Sequence, residues 1–239
     1  MDAPERTDTA LAVRGLRFGF ERTPVIDGLD LEVPRGGVYA LLGRNGAGKT
    51  TTLKLLVGIL RPRDGRIELD GHSVSRVDAR LRARIGYVPQ RPRFYPWMRG
   101  RELARFVGAF HPGWSAEAFR SRAAALHVDE ALRVREMSGG TVVKLALAIA
   151  LSVSPELLIL DEPTAGLDPV VRRELLTVLR AEALAGRTIL FSTHEISEAE
   201  QIAEWVGVLH RGKIIHQGAL SSLDTPLGDV FHELTREIE

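Results

Sequence analysis

Eight consecutive residues, Gly43-Arg44-Asn45-Gly46-Ala47-Gly48-Lys49-Thr50, carry the densest chemistry in the chain. They match G-x-x-x-x-G-K-[ST] without a gap. Glycines let the backbone curl so that successive N–H groups point inward, and such a concavity suits phosphate oxygens. A helix beginning near Lys49 adds the positive end of its dipole. Lys49 supplies a point charge for β- and γ-phosphates, and Thr50 offers a hydroxyl to Mg²⁺. The bland alternative is a glycine-rich turn that holds no ligand. The apolar strand before the loop and the helix after it weigh against that.

A second constellation is Asp161-Glu162, delivered at the end of the apolar run Leu157-Leu158-Ile159-Leu160. In open parallel sheets the C-terminal strand edge is where ligands bind. Asp161 suits Mg²⁺, directly or through water. Glu162 suits a base that orients and polarises an attacking water. In isolation the pair reads equally well as the cap of the next helix; the phosphate loop upstream favours catalysis.

These groups need elements to hold them. Leu11–Phe20 and Val25–Val33 read as strands, punctuated by Pro24 and by Pro34-Arg35-Gly36-Gly37. Val38–Leu42 is an apolar run too short for a helix and precedes the glycine loop as a buried strand. A helix is expected from about Lys49 to Gly58, strands at Arg66–Leu69 and Ile85–Val88, and a helix over Val77–Ala83. From Gln90 to about Glu136 no strand is legible, and Arg101–Phe110 and Ser115–Leu126 carry apolar residues at helical spacing. Helices are expected at Thr141–Ser152, Pro169–Ala185 and Ile196–Ala203, with a buried strand at Thr188–Phe191. Val206–Leu209 and Lys213–His216 form a hairpin around Arg211-Gly212. Apolar runs alternating with helices predict a mostly parallel sheet covered on both faces.

Composition narrows the classes. The 239 residues carry 32 Lys+Arg against 31 Asp+Glu, and this balance argues against a dedicated nucleic-acid binder. One stretch is nevertheless basic, through Arg76, Arg80, Arg82, Arg84, Arg91, Arg93, Arg99, Arg101 and Arg105. It reads as a solvated surface or as a face for acidic loops or lipid headgroups. With no cysteine there is no disulfide and no thiolate metal site. Met1–Ala10 lacks the basic start and apolar run of a secretory signal. No apolar run is long enough to span a membrane, so work at a membrane requires another protein to hold the chain there.

Further motifs follow in a fixed order, and they carry a family resemblance. Tyr87-Val88-Pro89-Gln90 looks like a Q-loop, Met137-Ser138-Gly139-Gly140-Thr141 like a signature motif, and Ala165-Gly166-Leu167-Asp168 like a D-loop. Ser192-Thr193-His194 stands where a switch histidine does. With the phosphate loop and Asp161-Glu162-Pro163-Thr164, the chain resembles the nucleotide-binding subunits of ABC transporters over nearly its whole length. The resemblance implies one domain over residues 1–239. Its fold would be α/β, a P-loop NTPase (RecA-like) core with a mostly parallel sheet, an N-terminal antiparallel β subdomain, a helical insertion near 91–153 and a C-terminal hairpin and tail near 205–239.

Roles follow position by position from the resemblance. The cofactors are ATP and Mg²⁺. Phe20 would stack on adenine, chosen over Phe18 because an alternating strand is expected to turn one of them outward. Gly43 to Thr50 with Thr51 would bind the phosphates. Gln90, with Thr50 and Asp161 near the metal, would sense the γ-phosphate and Mg²⁺. Ser138, Gly139 and Gly140 would touch ATP held by a second nucleotide-binding subunit, identical or related, and Asp168 would couple the two sites. Glu162, His194 and Lys49 would be catalytic. An integral membrane permease would dock near residues 90–114, at the cytoplasmic face of the plasma (inner) membrane, and no nucleic acid is expected. Thr141 departs from the family's usual Gln. This signature, together with Phe94-Tyr95-Pro96-Trp97 and His111-Pro112-Gly113-Trp114, is most similar to bacterial exporter ATPases of the antibiotic-resistance type. The competing class is a soluble ABC-type ATPase with a non-membrane partner, as in cofactor assembly. A purely regulatory ATP-holding module is disfavoured by the presence of Glu162 and His194.

Overall fold

The computed structural model describes residues 8–21, 23–74 and 83–236. Two sheets organise it. Strands β1 (Thr9–Phe20), β2 (Thr23–Pro34), β4 (Asp64–Leu69) and β5 (His72–Ser73) form an antiparallel sheet in the order β2-β1-β4-β5. Strands β3 (Val38–Leu42), β6 (Ile85–Val88), β7 (Leu157–Asp161), β8 (Thr188–Thr193), β9 (Trp205–His210) and β10 (Lys213–Ala219) form the second, in the order β10-β9-β3-β8-β7-β6. All its pairings are parallel except the β9–β10 hairpin.

Strand periodicity divides the core in two. Val38, Ala40 and Leu42 face one side of the parallel sheet, and Tyr39 and Leu41 face the other. Leu158 and Leu160 share the first side, while Leu157 and Ile159 share the second. Every residue of β3, β7 and β8 is buried, as a parallel sheet covered on both faces requires. Each such aliphatic side chain contributes roughly 1.5–3 kcal/mol relative to exposure.

The first side is covered by α2 (Gly100–Gly108), α3 (Ala116–Ala125), α4 (Gly139–Ser152), α5 (Pro169–Leu184), α6 (Ile196–Ile202) and α7 (Leu227–Arg236), which deliver among others Leu103, Phe119, Leu147, Leu176, Ala199 and Phe231. The second side is covered by the antiparallel sheet and α1 (Lys49–Leu56), through Leu11, Leu16, Leu29, Leu53 and Leu56.

The elements depart from the sequence reading in three places. Pro24 lies inside β2 rather than between strands. It is tolerated because β2 is an edge strand, where a missing N–H costs no ladder bond. The tail after the hairpin contains a helix, α7, whose buried Leu227, Phe231 and Thr235 recur every fourth residue. Short strand β5 also went unread. The helix expected over Val77–Ala83 lies, apart from Ala83, outside the described residues, as do Arg76, Arg80 and Arg82.

Candidate functional site

The glycine loop leaves the C-terminal end of β3, at the centre of the parallel sheet. A Cβ at Gly43 would stand 2.7 Å from the Leu209 carbonyl oxygen, so the backbone passes closer to β9 than a side chain permits. Gly46 and Gly48 have φ of 83° and 109°, a region that glycine enters without steric penalty. Gly48 caps α1 with no side-chain hydrogen bond, and helix N-termini of this kind attract anions.

Lys49 is only 5% exposed. Its Nζ donates to the carbonyls of Gly43 at 2.7 Å and Arg44 at 3.3 Å, and lies 3.0 Å from Glu162 Oε1. Thr50 Oγ1 donates to Asp161 Oδ1 at 3.0 Å. Gln90 Nε2 donates to Glu162 Oε2 at 2.9 Å, and His194 Nδ1 lies 3.4 Å from the same oxygen. Groups from four separate segments therefore meet at the C-terminal edge of the sheet.

The two acids sit in different electrostatic states. Burial pushes the Asp161 carboxyl up by more than the hydroxyls of Thr50 and Ser192 pull it back, and the charge of Glu162 adds to the rise. Burial also pushes Glu162 up, but the hydrogen bond and charge of Lys49, with His194 beside it, outweigh that and hold its carboxyl below the ordinary value. Glu162 has φ of 41°, a conformation uncommon outside glycine.

A cleft of about 340 Å³ opens here, lined by Asn45, Gly46, Gly48, Lys49, Thr50, Thr51, Gln90 and Glu162, with Val25 at its edge. A second cleft, about 500 Å³, is lined by Ser138, Gly139, Gly140 and Asp168, and again by Gln90. Gln90 thus borders both. Ser138 Oγ caps α4 by accepting from Thr141 N–H at 3.1 Å and lies 2.8 Å from Thr141 Oγ1. Asp168 Oδ1 caps α5, accepting from Val170 and Val171 N–H at 3.0 Å each.

Some sequence-selected residues stand apart. Phe20 lines neither cleft; it is 54% exposed at the end of β1, with its ring edge-on to Phe18 at 5.0 Å. The two rings share a side, as residues two apart on a strand do, so alternation does not separate them. Their difference in exposure comes from Phe20 lying at the hairpin end. Arg44 borders a different cleft, beside Phe231 and His232 of α7, and Ala47 packs into the second core.

Sequence reasoning passed over Ser192 as a participant. It is buried, donates to Asp161 Oδ1 at 3.0 Å and accepts from the Glu162 N–H at 3.0 Å. The signal was a hydroxyl closing the apolar run of β8 beside two acids closing β7.

Asp161 and Thr50 together offer hard oxygen donors, and a buried carboxyl beside a hydroxyl is a donor set that fits Mg²⁺. Among the described residues no cluster of three or more His, Cys, Asp or Glu forms a separate metal site.

The ABC transporter family profile matches residues 26–165. A daunorubicin resistance ATP-binding protein of Streptomyces coeruleorubidus is 39% identical over 92% of this chain and 72% of its own length. A Nod factor export ATP-binding protein I of Paraburkholderia xenovorans is 39% identical over 90% and 73%. Among solved structures, an ATP-binding subunit of an ABC transporter superposes with TM-score 0.84 at 29% identity, over 95% of this chain and all of that one. A bacterial Atm1-family ABC exporter with ATP bound superposes with TM-score 0.81 at 26% identity, over the whole of this chain and 44% of that one.

Proposed function

The chain belongs to the ABC transporter family of ATP-binding subunits and is an ATPase, and on that premise we propose that it pairs head to tail with a second such subunit around two MgATP to drive a separate membrane permease. The observation that carries this reading is Gln90, which borders both the Lys49 cleft and the Ser138 cleft. Each cleft supplies half of a phosphate site. The loop cleft brings Lys49, and the other brings the N-terminus of α4. Residues 1–239 act as one cassette, with the helical insertion near 91–153 as its partner-facing arm.

The chemistry of the loop cleft follows from its pairings. A γ-phosphate entering the loop competes with Glu162 for Lys49. When the phosphate takes the ammonium, the carboxylate loses the group that holds its basicity down and becomes a better proton acceptor. Gln90 and His194 keep Glu162 in place while this happens. His194 then stands beside the phosphate and the attacking water. Thr50 and Asp161 would hold Mg²⁺, which would supply charge neutralisation for the phosphates. The partner's Ser138-Gly139-Gly140 segment closes over the same phosphate, and Phe20 stacks on the adenine.

The permease docks on the segment from 90 to 114. Trp97, Tyr95, Phe106 and Phe110, in that spatial order, form an exposed chain of rings with successive centroids 5.1, 6.0 and 5.6 Å apart. Trp97 and Phe110 are 62% and 73% exposed, and contiguous exposed apolar surface of this kind marks an interaction site. No described helix is long and apolar enough to cross a membrane. The likeness to ATP-binding subunits of exporters supports peripheral attachment to the permease, at the cytoplasmic face of the plasma membrane. The resistance and export roles in the names of the two relatives support an exporter.

A tagged pull-down from gently solubilised native membranes, followed by crosslink mapping, tests the assignment. The expected result is a stoichiometric multi-span protein crosslinked to residues 90–114. A soluble partner alone, with the chain absent from membranes, would leave the ATPase and remove the transporter.

A further inference from the structure

We propose that Ser192 is a positioning residue of the hydrolytic centre. Its hydroxyl ties the Asp161 side chain to the Glu162 backbone and thereby sets where the Glu162 carboxylate stands. The inference rests on the reading of Glu162 as the base.

Strand β8 reads Thr-Ile-Leu-Phe-Ser-Thr, and Ser192 is 0% exposed within it. A buried hydroxyl in the middle of a sheet is costly unless both its donor and acceptor capacities are used. Here both are used, and both on the adjacent acids. Ser192 stands opposite Asp161 in the β7–β8 register and donates to its Oδ1 at 3.0 Å. The same oxygen accepts from Thr50, so Ser192 and Thr50 fix the Asp161 carboxylate between them. The Ser192 Oγ in turn accepts from the Glu162 N–H at 3.0 Å.

That second bond falls where the chain turns out of the sheet. Asp161 is the last residue of β7, and Glu162 immediately adopts φ of 41°. A non-glycine residue persists in that region when its surroundings over-determine it, and such residues cluster at functional sites. Ser192 supplies the bond that holds the peptide there. The following residues extend the brace. The Thr193 carbonyl accepts from the Gly43 N–H at 3.3 Å, and His194 Nδ1 approaches Glu162 Oε2 at 3.4 Å. Ser192 and Thr193, which close β8, and His194 after them thus tie the two acids to each other and to the phosphate loop. The other hydroxyls of β8 serve different partners: Thr188 accepts from the Gly36 N–H and Thr193 donates to Glu198. Ser192 is the one that reaches both acids.

Removing the hydroxyl leaves the fold's apolar contacts intact but frees the Glu162 peptide to shift, so the loss belongs in turnover rather than in nucleotide affinity. Ser192→Ala, Ser192→Thr, Ser192→Cys and Glu162→Gln are compared with the native chain. Thermal midpoint, ATP dissociation constant, and kcat and KM are measured, with turnover normalised to ATP-binding sites and assayed across protein concentrations that drive pairing. A misplaced catalytic group costs on the order of tenfold to a hundredfold, so Ser192→Ala is expected to lower kcat by at least about tenfold while the ATP dissociation constant and KM move less than about threefold. Ser192→Thr, which keeps the hydroxyl, is expected to retain more than about half of the native kcat. Ser192→Cys carries the same test, with an intermediate kcat expected, should the alanine variant not fold. Normal kcat in the alanine variant, or in the cysteine variant standing in for it, overturns the inference. So does a threonine variant as slow as the alanine one. Native turnover in Glu162→Gln is a separate failure: it removes the base itself, and with it the premise.

Discussion

At the scale of single residues, the site is a set of opposed electrostatic choices. Glu162 is held ionised by Lys49, whereas Asp161 is held in a place that burial makes unfavourable for its charge. The sign of the second effect is definite. The folded-state pKa of Asp161 lies above its unfolded value, so its contribution to stability is fully present below the unfolded value and is lost as pH rises through the folded one. At neutral pH the buried charge of Asp161 therefore works against the stability of the nucleotide-free chain. Asp161→Asn, which can still accept from Thr50 and Ser192, is expected to raise the thermal midpoint of the nucleotide-free protein at pH 7–8 and to lower ATP turnover by at least roughly a hundredfold. Calorimetry beside a phosphate-release assay checks it; a lower midpoint would contradict the account of the buried charge. Glu162 and Lys49 were legible because their motifs fix residue type and spacing. Ser192 was not, because its importance lies in a cross-strand register that one strand's sequence does not display.

At the scale of elements, the caps do two jobs. Ser138 and Asp168 each terminate a helix with a side-chain oxygen, and each borders the second cleft. For Asp168 the structural part can be separated from the rest. Asp168→Ala removes a cap and is expected to cost about 1 kcal/mol of stability, whereas Asp168→Asn keeps it. Equilibrium denaturation measures both, and equal losses would show that the cap contributes nothing. Helices α2 and α3 were readable from apolar residues at helical spacing, and the buried strands from short apolar runs. The exceptions have physical causes. Pro24 looks like a strand breaker but sits on an edge, and α7 hides a four-residue apolar period among Asp229, His232 and Glu233. Gly108 shows a constraint the sequence conceals: a Cβ there would stand 2.2 Å from the Trp114 ring, so the turn after α2 closes onto the helix only because that position is glycine.

At the scale of the whole molecule, the parallel sheet brings to one edge groups spread from Gly43 to His194, while the helical arm carries Ser138 to a separate cleft joined to the first through Gln90. On the proposed reading, that geometry gives a single chain two unlike half-sites, which a second subunit would complete. The resemblance carried by the motif order had already assigned the two groups of residues to different ATP molecules. The sequence did not indicate that Lys49, in the folded chain, is paired with Glu162, the proposed base. The central claim, that ATP is shared between two subunits and hydrolysis parts them, is tested most directly by the mass of Glu162→Gln in solution. Light scattering on that variant should find a dimer with ATP and Mg²⁺ and a monomer with ADP, together with negligible turnover. A monomer under both conditions, or turnover at the native rate, would contradict the claim.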